Sequence, residues 1–239
     1  MKSYKIGKII SNDKISEGIY KMEIACKMKA KPGQFLMVRN ESFRNSPLLS
    51  RPFGICDISD KSITILYQVK GIGTKILSNL KENNNIQVLG PLGKGFNLKS
   101  NKKSAILSGG IGIAPMLYLA KSLDNKADFY AGFGEDEYFI DEFKDYTSKI
   151  FTTSEKKDGK FITDLINTND YEVIYACGPN PMLQALTRKN KNTEIQISME
   201  AHMACGIGAC LGCTIENIRG DFIRVCKDGP VFDAKEICG

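Results

Sequence analysis

Four cysteines near the end of the chain constrain it most. They stand as Cys205-x4-Cys210-x2-Cys213, then twelve residues, then Cys226. Between the first three lie Gly206, Gly208, Ala209 and Gly212, so backbone N–H groups can approach a sulfur without obstruction by bulky side chains. The stretch from Glu200 to the end is too small to hold itself together by apolar burial, and a bound metal centre would supply the missing stability. The C-x4-C-x2-C…C order is the plant-type 2Fe-2S pattern, although the fourth cysteine usually lies further along than here. Structural zinc usually takes two close cysteine pairs, and only Cys210 and Cys213 make one. Disulfides require an oxidising compartment. The iron–sulfur pattern accounts for most of the spacing, and zinc stands as the alternative.

The chain holds eight cysteines but one histidine in 239 residues. One histidine excludes a Rieske centre, which needs two, and argues against a His-rich zinc hydrolase. No apolar run reaches the roughly 18 residues of a membrane span, and the start, MKSYKIGKII, lacks a signal peptide's apolar core. A cytoplasmic protein without membrane contact is expected. The formal charge of +6 comes from scattered lysines, with no basic block beyond 102–103 and 156–157. That is a solvated surface rather than a nucleic-acid footprint. Cys26, Cys56, Cys177 and Cys238 fall outside the ligand set, and Cys26 and Cys56 are expected to be small buried hydrophobes.

Organisation changes twice along the chain. Short segments rich in Ile, Val, Phe and Tyr at 4–10, 19–26, 34–39, 53–58, 62–69 and 85–89 predict a small six-stranded antiparallel barrel, with one helix near 74–80. From about residue 100, strands at 104–108, 127–132, 149–153, 172–177 and 194–199 alternate with helices at 115–123, 163–166 and 181–189. This pattern predicts a doubly wound parallel sheet. The expected units are a barrel domain at 1–99, an α/β domain at 100–199 and the cysteine segment at 200–239.

Two turns of the α/β unit bear on function. Ser108-Gly109-Gly110-Ile111-Gly112-Ile113-Ala114-Pro115 follows a strand and opens a helix, so its backbone can approach a pyrophosphate at a helix N-terminus. It is not the standard G-x-G-x-x-G fingerprint, and a plain strand-to-helix turn is its alternative. Cys177-Gly178-Pro179 occupies the same context at a later strand end, and both turns belong at the carboxyl edge of one sheet, where ligands bind. Glu135 and Asp136 follow another strand, where acidic groups would favour NAD over NADP. In the barrel, Arg51-Pro52-Phe53-Gly54 and Leu66-Tyr67-Gln68 through Gly73-Thr74 offer an Arg and a Gly-x-Gly-Thr turn suited to phosphate. A surface ion pair and an ordinary turn are the alternatives there.

Taken in order, these motifs resemble the ferredoxin reductase-type flavoproteins. Within them they are most similar to the electron transfer subunits of NAD-dependent (class 1B) dihydroorotate dehydrogenase. Residues 200–213 and 224–232 carry the most specific part of a resemblance that covers essentially the whole chain. It implies FAD in the barrel at Arg51, Pro52, Phe53, Gly54, Leu66, Tyr67, Gln68, Gly73 and Thr74. It implies NAD at Gly109, Gly110, Gly112, Pro115, Cys177, Gly178 and Pro179, and a 2Fe-2S cluster on Cys205, Cys210, Cys213 and Cys226. Two departures are Gly54, where relatives often carry Ser or Thr, and Gln68, where they often carry Arg.

The resemblance also implies a partner, an FMN-containing dihydroorotate dehydrogenase catalytic subunit, in an assembly of two copies of each chain. Electrons would pass from that partner through 2Fe-2S and FAD to NAD, in de novo pyrimidine (UMP) synthesis. A flavin suits the middle position because it converts between one-electron and hydride transfer. No protein acid or base is required, so no catalytic side chain is assigned, and His202 is expected to be structural or interfacial. A related iron–sulfur flavoprotein serving ferredoxin, sulfide or sulfite is the second reading. The cluster and the FAD pyrophosphate together carry about −4, which leaves the loaded protein near +2, so no nucleic acid is needed to balance the lysines.

Overall fold

The computed structural model describes residues 4–43 and 46–238. Its strands and helices run β1 (Lys5–Ser16), β2 (Ile19–Ala25), β3 (Phe35–Arg39), β4 (Arg51–Gly54), β5 (Asp57–Ile58), β6 (Ser62–Gln68), α1 (Ile72–Asn79) and β7 (Asn85–Leu92). These are followed by β8 (Ser104–Gly109), α2 (Ala114–Ser122), β9 (Ala127–Phe133), β10 (Thr147–Ser154), α3 (Glu155–Asp158), β11 (Val173–Cys177), α4 (Asn180–Lys189) and β12 (Glu194–Ser198). The chain closes with β13 (Thr214–Glu216), β14 (Phe222–Arg224), α5 (Val225–Asp228), β15 (Val231–Asp233) and α6 (Ala234–Ile237).

The first sheet has the order β4-β3-β7-β1-β2-β6-β5, and every pairing in it is antiparallel. The strand expected at 53–58 is interrupted at Ile55 and Cys56, so β4 lies at one edge and β5 at the other. The Ile55 N–H donates to the Gln34 carbonyl at 3.1 Å, while the Cys56 N–H donates to Thr64 at 3.0 Å. One bent strand therefore closes the six-stranded barrel and removes its free edges. Ile24, Leu36, Val38, Ile63, Ile65 and Val88 are fully buried inside it.

The second sheet has the order β10-β9-β8-β11-β12-β15. Its first five strands are parallel and its last pairing is antiparallel. β8 and β11 are buried at every position, as expected of parallel strands covered on both faces. Pro115 occupies the first turn of α2, where its missing N–H costs nothing. The helix expected at 163–166 is only one turn of 3-10 helix, Ile162–Asp164. Ile162 and Ile166 are buried there, so tertiary packing holds a segment too short to propagate an α-helix.

The C-terminal stretch adds a strand to the parallel sheet and packs against the barrel. β15 pairs with β12 through Gln196↔Asp233 to Ser198↔Val231. Cys213, Val225, Cys226 and Phe232 share one core with Phe35, Met37 and Leu92 of the barrel and Ile174 and Ile197 of the parallel sheet. Cross-links between barrel and sheet include Lys121–Asp57 at 2.5 Å, Lys21–Glu142 at 3.1 Å, and Gln196, which bonds both backbone groups of Asn97 at 2.8 Å. Cys26 and Cys56 are buried, as expected of small hydrophobes. Among the described residues no helix is long and apolar enough to cross a membrane.

Candidate functional site

The barrel motif, the sheet turns and the start of the cysteine segment meet at one cleft of about 260 Å³. Arg51, Pro52, Phe53, Gly54, Leu66, Tyr67, Gln68 and Thr74 line its barrel side. Pro115 and Cys177 line it from the parallel sheet, and Met199, Glu200, Ala201 and Met203 from the chain leaving β12. Arg51 Nη1 donates to the Leu49 carbonyl at 2.8 Å, and Gly73 lies directly against the Arg51 guanidinium. The Thr74 hydroxyl accepts from the N–H groups of Lys70 and Gly71 at 2.9 and 3.1 Å, fixing the Gly-x-Gly-Thr turn at the start of α1. The Tyr67 hydroxyl points away to Asn12 Oδ1 at 2.9 Å, and burial pushes its pKa up. Gly54 faces Pro115 across the cleft, where an added Cβ would stand 3.2 Å from the proline ring.

A second cleft, of about 430 Å³, opens on the other side of the two sheet turns. Gly109, Gly110 and Pro179 line it, together with Thr153, Glu155, Lys160 and Phe161. β8 leads to β9 on one side and pairs with β11 on the other, so the turns after β8 and β11 flank the topological switch point, where open α/β sheets bind ligands. The expected nucleotide residues thus divide. Pro115 and Cys177 face the first cleft, and Gly109, Gly110 and Pro179 the second. Gly112 and Gly178 line neither and instead hold the turns together. A Cβ on Gly112 would collide with the Cys177 carbonyl, and one on Gly178 would lie 2.9 Å from the Gly109 nitrogen. Burial pushes the Cys177 thiol well up, with the Glu200 carboxylate adding to the shift.

Glu135 and Asp136 line neither cleft; they pair with Lys156 and Lys157 at 3.4 and 3.0 Å. The carboxylate at the second cleft is Glu155. Lys160 and Phe161 carry no local motif, and their one sequence signal is that they follow the carboxyl end of a parallel strand, β10; Glu200 and Met203 follow β12 and fall within the 200–213 segment that carries the resemblance. His202 is exposed.

The four cysteines of the C-terminal segment form two pairs. Cys205 and Cys210 lie together on the outer side, the first half-buried and the second exposed, while Cys213 and Cys226 adjoin each other in the core at 4% and 2% exposure. The Ile207 and Cys210 N–H groups donate to Cys205 Sγ at 3.5 and 3.4 Å, the Gly212 N–H to Cys210 Sγ at 3.4 Å, and the Cys226 N–H to Cys213 Sγ at 3.4 Å. Burial opposes ionisation of Cys205, but the N–H donors outweigh it and bring its pKa down to about 6. Burial and the neighbouring Cys213 push Cys226 up to about 12. Two thiol pairs fed by backbone donors suit two irons, each holding two thiolates; a single zinc would draw all four sulfurs to one point.

A closed antiparallel barrel, a doubly wound parallel sheet and a cleft between them define a ferredoxin reductase-type flavoprotein. A solved NADH-dependent reduced ferredoxin–NADP oxidoreductase superposes with TM-score 0.86 at 25% identity, covering 99% of this chain and 91% of that one. A ferredoxin NADP+ reductase from Neisseria gonorrhoeae, solved with FAD and NADP, shares the fold at TM-score 0.61 and 16% identity, over 78% and 89% of the two chains. Residues 200–238 match the family described as the iron–sulfur cluster binding domain of dihydroorotate dehydrogenase B. The dihydroorotate dehydrogenase B (NAD(+)) electron transfer subunit of Clostridium acetobutylicum is 42% identical over 98% of this chain and 97% of its own. Its counterpart from Caldanaerobacter subterraneus is 39% identical over 96% of each. The chain belongs to the family of dihydroorotate dehydrogenase B electron transfer subunits.

Proposed function

We propose that this chain couples the oxidation of dihydroorotate on a partner catalytic subunit to the reduction of NAD+, a step of de novo pyrimidine synthesis. The partner carries FMN and assembles with this chain as two copies of each, in the cytoplasm. When bound, the 2Fe-2S cluster supplies one-electron transfer, FAD converts between single electrons and hydride, and NAD+ accepts the hydride.

The residues divide the work accordingly. Arg51 through Gly54, Leu66 through Gln68, and Gly73 with Thr74 seat FAD against the barrel, with Arg51 as the cation for its pyrophosphate. Gly109, Gly110, Gly112, Cys177, Gly178 and Pro179 build the paired turns that receive NAD, and Pro115 turns α2 toward the flavin side. Cys205, Cys210, Cys213 and Cys226 hold the cluster. The units at 1–99, 100–199 and 200–239 are divisions of labour, and the third leans on the other two for its core.

One observation carries this reading. The cleft lined by the Arg51 motif is also lined by Met203, two residues before Cys205. Two residues of chain span at most about 7 Å, so the cluster segment begins at the wall of the flavin cleft. Co-expression with a candidate FMN subunit tests the proposal. A brown-yellow complex that reduces NAD+ when given dihydroorotate is expected. A chain that ignores that partner and exchanges electrons with ferredoxin would overturn it.

A further inference from the structure

Both cluster loops converge on Arg224, which is not a ligand. It ends β14, two residues before Cys226. Its backbone N–H and its Nε both reach Asp228 Oδ2, at 2.9 and 3.2 Å, and Nη1 crosses to the Gly208 carbonyl at 3.3 Å. The guanidinium is therefore fixed by one loop and grips the other. Gly208 has φ +82°, and the stem of Lys227 covers its open side so closely that a Cβ would stand 2.7 Å from Lys227 Cδ. The loop from 205 to 210 is held between these two cations.

The peptide gripped in this way is the one joining Gly208 to Ala209. Its carbonyl accepts from Arg224 at 3.3 Å, and the Ile207 and Cys210 N–H groups on either side of it donate to the Cys205 sulfur at 3.5 and 3.4 Å. Pinning the Gly208 carbonyl fixes the short loop that carries both donors, one residue before it and two after, and so keeps their N–H groups on the sulfur. Hydrogen bonds to the sulfurs set the potential of an iron–sulfur centre, since they favour its more negative, reduced form.

Building on the iron–sulfur reading above, we propose that Arg224 is a positioning residue that raises the potential of the cluster. It does so by holding Gly208 so that the Ile207 and Cys210 N–H groups stay on the Cys205 sulfur, with Asp228 fixing the guanidinium. The effect needs the planar fork, which bonds Asp228 and Gly208 at once. A lysine keeps the charge but offers a single point donor.

The test is a redox titration of the purified full-length chain, with the cluster followed by electron paramagnetic resonance and FAD by absorbance. For R224Q, the ratio of reduced to oxidised cluster at the wild-type midpoint should fall about tenfold, equivalent to 59 mV for a one-electron couple. The FAD midpoint should stay in place. R224K should show more than half of that shift on a logarithmic scale. A wild-type midpoint in R224K would mean that only charge acts through space, and would overturn the proposal. If R224Q fails to retain the cluster, R224K and D228N carry the measurement: a lowered midpoint in both sustains the proposal, and a wild-type midpoint in either one overturns it. A wild-type chain with no iron–sulfur signal would instead overturn the functional reading, and this inference with it.

Discussion

Gly112 is the most exacting position in the nucleotide turns, and Gly112→Ala gives a quantitative test of how they are built. A Cβ there would overlap the Cys177 carbonyl oxygen and stand 2.6 Å from its carbon and 2.8 Å from Gly178 Cα. All three atoms are backbone of a neighbouring turn, so no side chain can rotate away. Overpacking of this kind costs about 1–3 kcal/mol, and a backbone-on-backbone clash belongs at the upper end. Each kcal/mol lowers Tm by about 2–4 °C in a chain of this size. A drop of about 6–12 °C follows, measured by circular dichroism on the FAD-loaded protein. Gly110→Ala is the control. Its φ is +53° and the space beside it is open, so it incurs only a left-handed backbone penalty of about 1 kcal/mol and a drop of about 2–4 °C. Gly112→Ala should also slow NADH oxidation with an artificial dye more than it lowers FAD content, because spreading the turns moves Gly109 and Gly110 away from Cys177 and Pro179. A Gly112→Ala protein melting within 2 °C of wild type, or less perturbed than Gly110→Ala, would refute this account.

Other outcomes are as direct. Arg51→Ala removes the guanidinium at the barrel side of the cleft, and losing a charge-assisted bond of about 1.5–3 kcal/mol should weaken FAD binding by about 10- to 150-fold in a fluorescence titration. An unchanged Kd would contradict the assignment. Cys213→Ser should abolish the iron–sulfur absorption while sparing much of the NADH-to-dye rate; loss of that rate with FAD still bound would mean that the order of carriers is wrong. Burial raises the Cys177 pKa, so its thiolate is scarce near pH 8. Iodoacetamide should label exposed Cys210 of cluster-free protein long before Cys177, as read by peptide mass spectrometry. Equal rates would show that Cys177 is accessible.

The barrel was legible because alternating apolar residues mark its strands, yet β1 runs to Ser16 rather than ending at 10. Residues 11–16 are polar but for Ile15, and their strand geometry comes from pairing with β2 through a register shift between Ile9 and Ser11, which no local pattern reports. The split between β4 and β5 was hidden for a similar reason, since it exists to close the barrel against Gln34 and Thr64. The iron–sulfur character of the C-terminal segment was legible because metal ligation imposes fixed cysteine intervals, and residues 200–238 match an iron–sulfur cluster binding domain. Glu155, Lys160 and Phe161 were not, because they sit in the charged α3 and just after it, a stretch that looks like any solvated surface until the parallel sheet brings β10 beside β9. Glu135 and Asp136 show the converse: their position after a strand suggested a nucleotide contact, but nearby Lys156 and Lys157 engage them.

The packing of the C-terminal segment against both units follows from its size and composition. A cluster loop of small residues cannot supply its own core, so Cys213, Val225 and Cys226 borrow one from Met37 and Leu92 of the barrel and from Ile197 of the parallel sheet. β15 then anchors the segment to β12. The same chain exit from β12 places Met199 and Glu200 beside Cys177 and Met203 beside the barrel motif. Stability and electron transfer thereby make the same geometric demand. The packing that rescues an otherwise unstable loop also brings the inner thiol pair, Cys213 and Cys226, into the core shared by the barrel and the parallel sheet. The outer pair stays at the surface, where exposed Ile207 and Leu211 flank it.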